Sequence, residues 1–210
     1  IQTMKNVKTI VFDKTGTITK GKPEVTDIYT KLKESYLLDI AASLERLSEH
    51  PIAKAIVNHT QLKRYREVKK FTIIRGRGIE GTIGTKKIII GNRTLMKEKE
   101  IALNSYENKI KEFESQGKTT MIVAENKKII GVIAVADAIK EDSISALEQL
   151  HKEGYRTVMI TGDNELTARA IAQQAGIREI IANVLPEDKA KIVEELQKSG
   201  FVAFVGAVTV

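Results

Sequence analysis

Apolar, β-branched residues crowd positions 7–12, and the run stops at once in the polar, glycine-containing loop Asp13-Lys14-Thr15-Gly16-Thr17. A short apolar run bounded by a turn signal predicts a buried strand. Residues 25–30 predict a second, more exposed strand. The pattern then changes. Apolar side chains at Leu37, Leu38, Ile40, Ala41, Leu44 and Leu47 recur at helical spacing. Pro51 suits the first position of a helix, so a second helix is expected over 52–62. Residues 68–74, 79–83 and 87–90 predict short strands punctuated by Gly76, Gly78, Gly81, Gly84 and Gly91. That punctuation predicts an antiparallel sheet with tight turns. An amphipathic helix over 105–115 is closed by Gly117.

From about residue 118 strands and helices alternate. Strands are expected over 119–124, 129–136, 156–160 and 201–205, and helices over 143–152, 165–175 and 187–198. Such alternation predicts parallel strands with crossover helices, an α/β layered domain. The first strand belongs with this set by its composition. The expected organisation is therefore an α/β domain, residues 1–32 and 118–210, interrupted by an α+β insert over 33–117. No repeat or low-complexity segment interrupts it.

Composition narrows the chemistry. The chain has 210 residues, 42% of them apolar and 29% charged, the mix of a soluble globular protein with room for a sizeable core. There is no Cys, which excludes disulfides, thiolate metal sites and a thiol nucleophile. With no Trp and 5% aromatics, a stacking single-strand nucleic-acid binder is disfavoured, and no nucleic-acid partner is expected. The net charge of +7 suits a polyanion such as a nucleotide. The longest apolar stretches fall far short of the roughly 20 residues of a spanning helix. No signal core opens the chain, and Ile1 in place of Met reads as a piece cut from a longer protein.

Ligands of open α/β sheets collect at the carboxyl ends of the strands. Two polar loops stand there: residues 13–17, and Thr161-Gly162-Asp163-Asn164. Each sets a carboxylate and a hydroxyl beside a glycine. A carboxylate can attack phosphorus to form an aspartyl phosphate. Hydroxyls and backbone N–H groups can hold phosphoryl oxygens. Lys189, after Pro186-Glu187-Asp188, can bring a point charge to the same place.

Asp13-Lys14-Thr15-Gly16-Thr17, with Ile18-Thr19 after it, resembles the phosphorylation signature of P-type ATPases. Thr161-Gly162-Asp163-Asn164 resembles that family's second signature, and Pro186 with Lys189 its third. In the insert, Ser48-Glu49-His50-Pro51 is similar to the motif of the heavy-metal-transporting branch. Glu45 matches its ATP-site glutamate, Gly76-Arg77-Gly78 its glycine turn, and Gly91-Asn92 its Gly-Asn pair. The resemblance covers nearly the whole chain and points to the copper-type transporters. It implies a haloacid-dehalogenase-like phosphorylation domain carrying an inserted nucleotide-binding domain, at the cytoplasmic face of a membrane.

The resemblance also implies roles. Asp13 takes the γ-phosphoryl group of ATP. Mg²⁺ lies between Asp13 and that group, with the Thr15 carbonyl as a further ligand. Thr161, Gly162 and Lys189 bind phosphoryl oxygens, with Lys14 and Asp163 at the same site. Glu45 and His50 meet the adenine, Gly76 and Gly78 let the backbone approach the nucleotide, and Asn92 supports that pocket. Thr15 stands where related phosphatases carry an acid/base Asp, so the aspartyl phosphate is expected to be long-lived. The implied partners are ATP, the membrane helices and actuator domain of the same transporter, and a metal-delivering chaperone.

One departure stands out. The family follows its Val-Gly with an Asp that binds Mg²⁺, whereas Val205-Gly206 is followed here by Ala207. A methyl group cannot ligate a hard cation. Two other readings therefore stay open, a free-standing phosphatase of the same superfamily and a catalytically inactive nucleotide-binding module. Plainer roles are expected elsewhere. His59 and His151 read as surface residues, and the basic stretch 63–70 as a solvated face. Asp163 suits a helix N-cap, and Asp137 either a hinge or a site residue.

Overall fold

A computed structural model describes residues 7–198 and 200–206. Its elements in chain order are β1 (Thr9–Asp13), β2 (Glu24–Thr30), α1 (Glu34–Glu45), α2 (Pro51–Thr60), β3 (Val68–Ile74), β4 (Gly78–Ile83), β5 (Lys86–Gly91), α3 (Arg93–Glu98), α4 (Glu107–Ser115), β6 (Thr119–Glu125), β7 (Lys128–Ala136), α5 (Glu141–Lys152), β8 (Arg156–Ile160), α6 (Glu165–Ala175), β9 (Glu179–Ile181), α7 (Lys189–Gln197) and β10 (Val202–Val205). The chain divides into two compact units. One holds the residues up to Lys22, 115–117 and those from Asp137 onward. The other holds Pro23–Glu114 and Lys118–Ala136.

The first unit is built on a parallel sheet of order β10-β1-β8-β9. Val11, Val158 and Ile160 turn to one face, where Ile192, Val193 and Leu196 of α7 pack on them. Met159 turns to the other, against Leu147 of α5 and Ala168, Ile171, Ala172 and Ala175 of α6. Burial on both faces is what a parallel strand requires. Asp13 pairs with Ile160 in the ladder, so the loops after β1 and β8 leave the sheet at one edge.

The second unit is a six-stranded antiparallel sheet of order β2-β7-β6-β5-β4-β3. Leu37, Ile40, Ala41 and Leu44 of α1 pack with Ile56 of α2 on Ile88, Ile90, Val123, Ile133 and Val135. The opposite face carries Leu95 and Met96 of α3 and Ile110 and Phe113 of α4, against Ile89, Ile122, Val132 and Ala134.

Two expectations are corrected here. Residues 119–124 and 129–136 form strands, but an antiparallel hairpin, closed at Asn126 and Lys127 with φ of 47° and 62°. Positive φ at both turn residues is the tight hairpin geometry that follows the strand twist. Helices cover both faces of this sheet, so the apolar/polar alternation of an antiparallel strand is erased and the run resembles a parallel one. The first boundary accordingly falls at 22/23 rather than at 32/33, and residues 118–136 join the antiparallel-sheet unit, because β2, β6 and β7 complete that sheet. Helix α3 and strand β9 were not expected. Both are short, below the length at which periodicity is legible.

Candidate functional site

In the parallel-sheet unit, Asp13 is the last residue of β1 and only 5% exposed. The following five residues, Lys14–Ile18, make a wide turn in which Gly16 takes φ 76°. The turn is closed by Thr19 N–H donating to the Lys14 carbonyl at 3.0 Å. Lys189 opens α7 just after Pro186. Its Nζ donates to both carboxylate oxygens of Asp13, each at 2.9 Å. A lysine 176 residues away in sequence thus holds the Asp13 carboxylate in one orientation.

The loop after β8 is held by its own side chains. Thr161 Oγ1 accepts from the Asp163 N–H at 3.1 Å and donates to Asp163 Oδ2 at 3.0 Å. Lys14 Nζ donates to the same Oδ2 at 2.7 Å, joining the two loops through a half-buried ion pair. Gly162 is exposed, and a Cβ there would sit 3.3 Å from the Val184 carbonyl. The structure therefore brings Asp13 to Lys189, and Lys14 to Asp163 and Thr161. Thr15 is exposed at the rim, its ψ of 123° departing from a helical turn. The N-cap of α6 is Asn164, whose Oδ1 accepts from Thr167 N–H at 3.0 Å, so Asp163 is not the cap.

Two further residues pack against these loops, Gly206 of the Val-Gly pair and Asp137. Gly206 packs so close that a Cβ would lie 2.7 Å from Asp13 Cβ. Asp137 accepts from Thr19 Oγ1 at 2.6 Å and from the backbone N–H groups of Gly21 and Lys22, each at 3.0 Å. Asp137 ties together the points where the chain leaves and re-enters the unit. Its only sequence signal was an acid closing an apolar strand. Ala207 lies outside the described residues.

Whether the described donors suit Mg²⁺ follows from their chemistry. Asp13 and the Thr15 carbonyl offer hard oxygen ligands, and no group of three acidic or His side chains able to hold a metal occurs among the described residues. Mg²⁺ commonly takes one or two carboxylates and completes its shell with phosphate oxygens and water. The pair fits a site finished by a phosphate-bearing substrate.

The antiparallel-sheet unit holds the other candidates in two clusters. Gly76, at φ 66°, sits in the turn between β3 and β4. Asn92 Nδ2 donates to the Gly76 carbonyl at 3.0 Å, Asn92 N–H to the Arg77 carbonyl at 2.9 Å, and Asn92 Oδ1 accepts from Leu95 N–H as the cap of α3. Gly78 pairs with Gly91 across the ladder, and a Cβ on Gly78 would lie 2.1 Å from the Ile90 carbonyl. Close strand packing by itself demands glycine there. In the second cluster His50 caps α2, its Nδ1 accepting from Ile52 N–H at 3.2 Å, with Pro51 next. Ser48 bridges, its N–H donating to the Glu45 carbonyl at 2.9 Å and its Oγ accepting from His50 N–H at 3.3 Å.

Glu45 ends α1 at 3% exposure, and its Oε1 has no hydrogen-bond partner. Burial pushes its carboxyl up to about 8. The unit also carries the whole charge excess, 21 Lys and Arg against 14 Asp and Glu, while the rest of the chain is balanced at 13 of each.

The family model for haloacid dehalogenase-like hydrolases matches residues 7–207. A copper-exporting P-type ATPase of Staphylococcus saprophyticus subsp. saprophyticus is 43% identical over 209 residues, covering 98% of this chain and 26% of that protein. One from Staphylococcus aureus strain JH9 has the same identity over 210 residues and the same coverage. The chain thus spans about a quarter of the length of these relatives. A solved structure of the catalytic domain of the CPx-ATPase CopB-B, from work on its conformational changes upon nucleotide binding, superposes with TM-score 0.74 at 32% identity, over 98% of this chain and 73% of that one. A zinc-transporting PIB-type ATPase in its E2.Pi state gives TM-score 0.62 at 34% identity, over 98% and 34%. Among the described residues no helix is long and apolar enough to cross a membrane.

Proposed function

The chain belongs to the haloacid dehalogenase-like hydrolases, as a catalytic unit of the heavy-metal P-type ATPases, and from that membership we propose that it binds ATP and takes the γ-phosphoryl group onto Asp13. One Asp13 oxygen attacks the γ-phosphorus, the bond to the bridging oxygen breaks, and ADP leaves. The observation that carries this reading is the Lys189–Asp13 contact. A buried carboxylate at a strand end is held by both oxygens at 2.9 Å, with its anionic charge balanced. When phosphate approaches, the same ammonium can turn to the transferring oxygens. Thr161 and the exposed backbone at Gly162 would hold the others. Asp13 and the Thr15 carbonyl would hold Mg²⁺, which would offset the repulsion between carboxylate and phosphate. Thr15 cannot activate water as a base, so the aspartyl phosphate would persist.

In the antiparallel-sheet unit, Glu45 and His50 would receive the adenine and the Gly76–Gly78 turn the remainder of the nucleotide. The concentration of positive charge there supports capture of a polyanion. In the longer protein this chemistry would drive export of a heavy-metal cation, copper by the names of the relatives, in concert with membrane helices and an actuator domain.

The test is incubation with γ-labelled ATP and Mg²⁺ followed by acid quench. An acid-stable, hydroxylamine-sensitive phosphoenzyme, lost in Asp13→Asn, is the expected result. Nucleotide binding without phosphoenzyme would instead favour the inactive-module reading, through Ala207. Many turnovers of a generic phosphomonoester would favour the phosphatase.

A further inference from the structure

A cleft of about 530 Å³ opens in the antiparallel-sheet unit between α1, the approach to β3 and the turn joining β4 to β5. Its size falls within the roughly 300–1,000 Å³ of small-molecule sites. It stands apart from the Glu45–His50 and Gly76–Asn92 clusters. Tyr36 lines it near the start of α1, about 13 Å along the helix from Glu45. Gly84 and Thr85 line it at the far end of β4 from the Gly76–Gly78 turn. The floor is apolar, with Ile40 fully buried and Ile83 nearly so. The rim is cationic, with Arg66 and Lys69 from the basic stretch 63–70 and Lys86 at the start of β5. We propose that this cleft is a second ligand site, taking a small organic acid with one carboxylate on a compact apolar body.

Two of the three cations are fixed in place by acids outside the lining. Arg66 donates Nε to Asp39 Oδ2 at 2.6 Å and its backbone N–H to Ser43 Oγ at 2.9 Å, both on α1. Its two Nη groups have no hydrogen-bond partner among the described residues. Lys86 Nζ donates to the Tyr36 hydroxyl and to Glu125 Oε1, each at 2.9 Å, and the Tyr36 hydroxyl donates to Glu125 Oε2. One of the three Lys86 donors is left over. The bonds to Tyr36 and then Glu125 raise the proton affinity of Lys86 and keep it charged. Arg66 and Lys86 also stand over the Tyr36 ring, 5.8 and 5.4 Å from its centre. Donors held in this way lose little freedom when a ligand arrives.

Charge decides the class of ligand. Asp39 and Glu125 balance Arg66 and Lys86. Glu67, with its side chain 80% exposed and 3.7 Å from Lys69, is too well solvated to do the same. One positive charge is therefore in surplus, which a monoanion matches. A carboxylate can accept from both Nη groups of Arg66 in the paired geometry that guanidinium favours. An apolar body behind it packs over Ile83 and the Tyr36 ring, away from water.

The experiment is titration of the whole chain with benzoate, benzyl alcohol and phenylphosphonate at neutral pH and constant ionic strength, followed by backbone amide and arginine Nε chemical shifts. Benzoate is expected to shift the signals of Gly84, Thr85 and Arg66 Nε saturably. Benzyl alcohol, which has the ring without the charge, should bind about tenfold more weakly, and phenylphosphonate no more tightly than benzoate. Arg66→Gln should weaken benzoate about tenfold. Arg66 also ties the chain to α1, so Lys69→Gln is the second variant. Its side chain is exposed, and the change should weaken benzoate severalfold with the rest of the spectrum intact. The benzoate shifts should persist under saturating ATP. They do not depend on ATP being bound, so failure of the nucleotide reading leaves this inference standing. Shifts confined to the Gly76–Gly78 turn, or abolished by ATP, would move benzoate to the nucleotide cluster and overturn the proposal. Equal binding of benzyl alcohol, indifference to both variants, or no saturable shift at Gly84 and Thr85 would overturn it too. Phenylphosphonate binding more than about tenfold tighter would overturn the choice of a carboxylate.

Discussion

Asp137 Oδ2 accepts the Thr19 hydroxyl at 2.6 Å across 118 residues of sequence, and the two residues bracket the whole antiparallel-sheet unit. The Gly21 and Lys22 amides complete the carboxylate's acceptor set. Lys140 N–H donates to the Ile18 carbonyl at 3.0 Å, and Lys140 Nζ to the Gly16 carbonyl at 2.8 Å. The chain's exit and return are thus bound to the turn that carries Asp13. Asp137→Ala should lower stability by roughly 2 kcal/mol, since three donors to one ionised acceptor are lost from a partly buried place. Urea unfolding checks this, and Asp137→Asn, keeping one acceptor oxygen, should recover part of the loss.

Lys189→Met tests the contact with Asp13. It leaves a 5%-exposed carboxylate without its counter-charge. Removing one partner of a buried pair costs about 3–5 kcal/mol, and partial exposure of the lysine brings the expectation to about 1–3 kcal/mol. Asp13→Asn should be far milder, and the double variant should restore most of what Lys189→Met loses. A double-mutant cycle by thermal unfolding measures the coupling.

Gly78→Ala should destabilise the antiparallel-sheet unit whether or not nucleotide is present. Its new Cβ would meet the Ile90 carbonyl at 2.1 Å and Gly91 Cα at 2.6 Å, at a φ of 149°. Both obstacles are backbone, so the hairpin must separate. Thermal unfolding should fall by several degrees at least. An unchanged melting temperature with weakened ATP binding would show that the glycine serves the ligand alone.

Glu45 gives a pH dependence of stability with a definite sign. Its carboxyl is raised in the folded state, from an ordinary value of 4.5 to about 8, so folding favours the protonated form. Stability conferred by that preference is fully present below about pH 4.5, is lost as pH rises toward 8, and is constant above it. Glu45→Gln cannot ionise. Relative to wild type it should therefore gain stability over that interval, reaching a few kcal/mol at about pH 8.5. Paired urea titrations at about pH 5 and about pH 8.5 measure it, and an equal difference at both would refute the shift.

The strand-end acids and the glycine turns were legible because each breaks the apolar pattern around it. Asp13 follows an apolar run that ends abruptly, and Gly76 with Gly78 breaks a strand pattern in two places. Helix α1 was legible from its 3.6-residue period, α2 from Pro51, and α5 and α6 from their alternation with strands. Helix α3 was not, since six residues cannot display a period, although its cap Asn92 had been noticed for another reason.

What the sequence determined by itself was local and chemical: which stretches are apolar, where the backbone must turn, and which carboxylates, hydroxyls and lysines stand in reactive settings. Those follow from propensities acting over a few residues. Tertiary structure decided the rest. It turned β6 and β7 from an apparent parallel pair into a hairpin, because helices on both faces hid the alternation that distinguishes the two. It set Lys189 on Asp13 and Lys14 on Asp163, and it closed Glu45 away from water. Partners 149 and 176 residues apart meet only through the register of a sheet, and a proton affinity depends on the solvent a fold removes. Neither quantity is a property of any short stretch of chain.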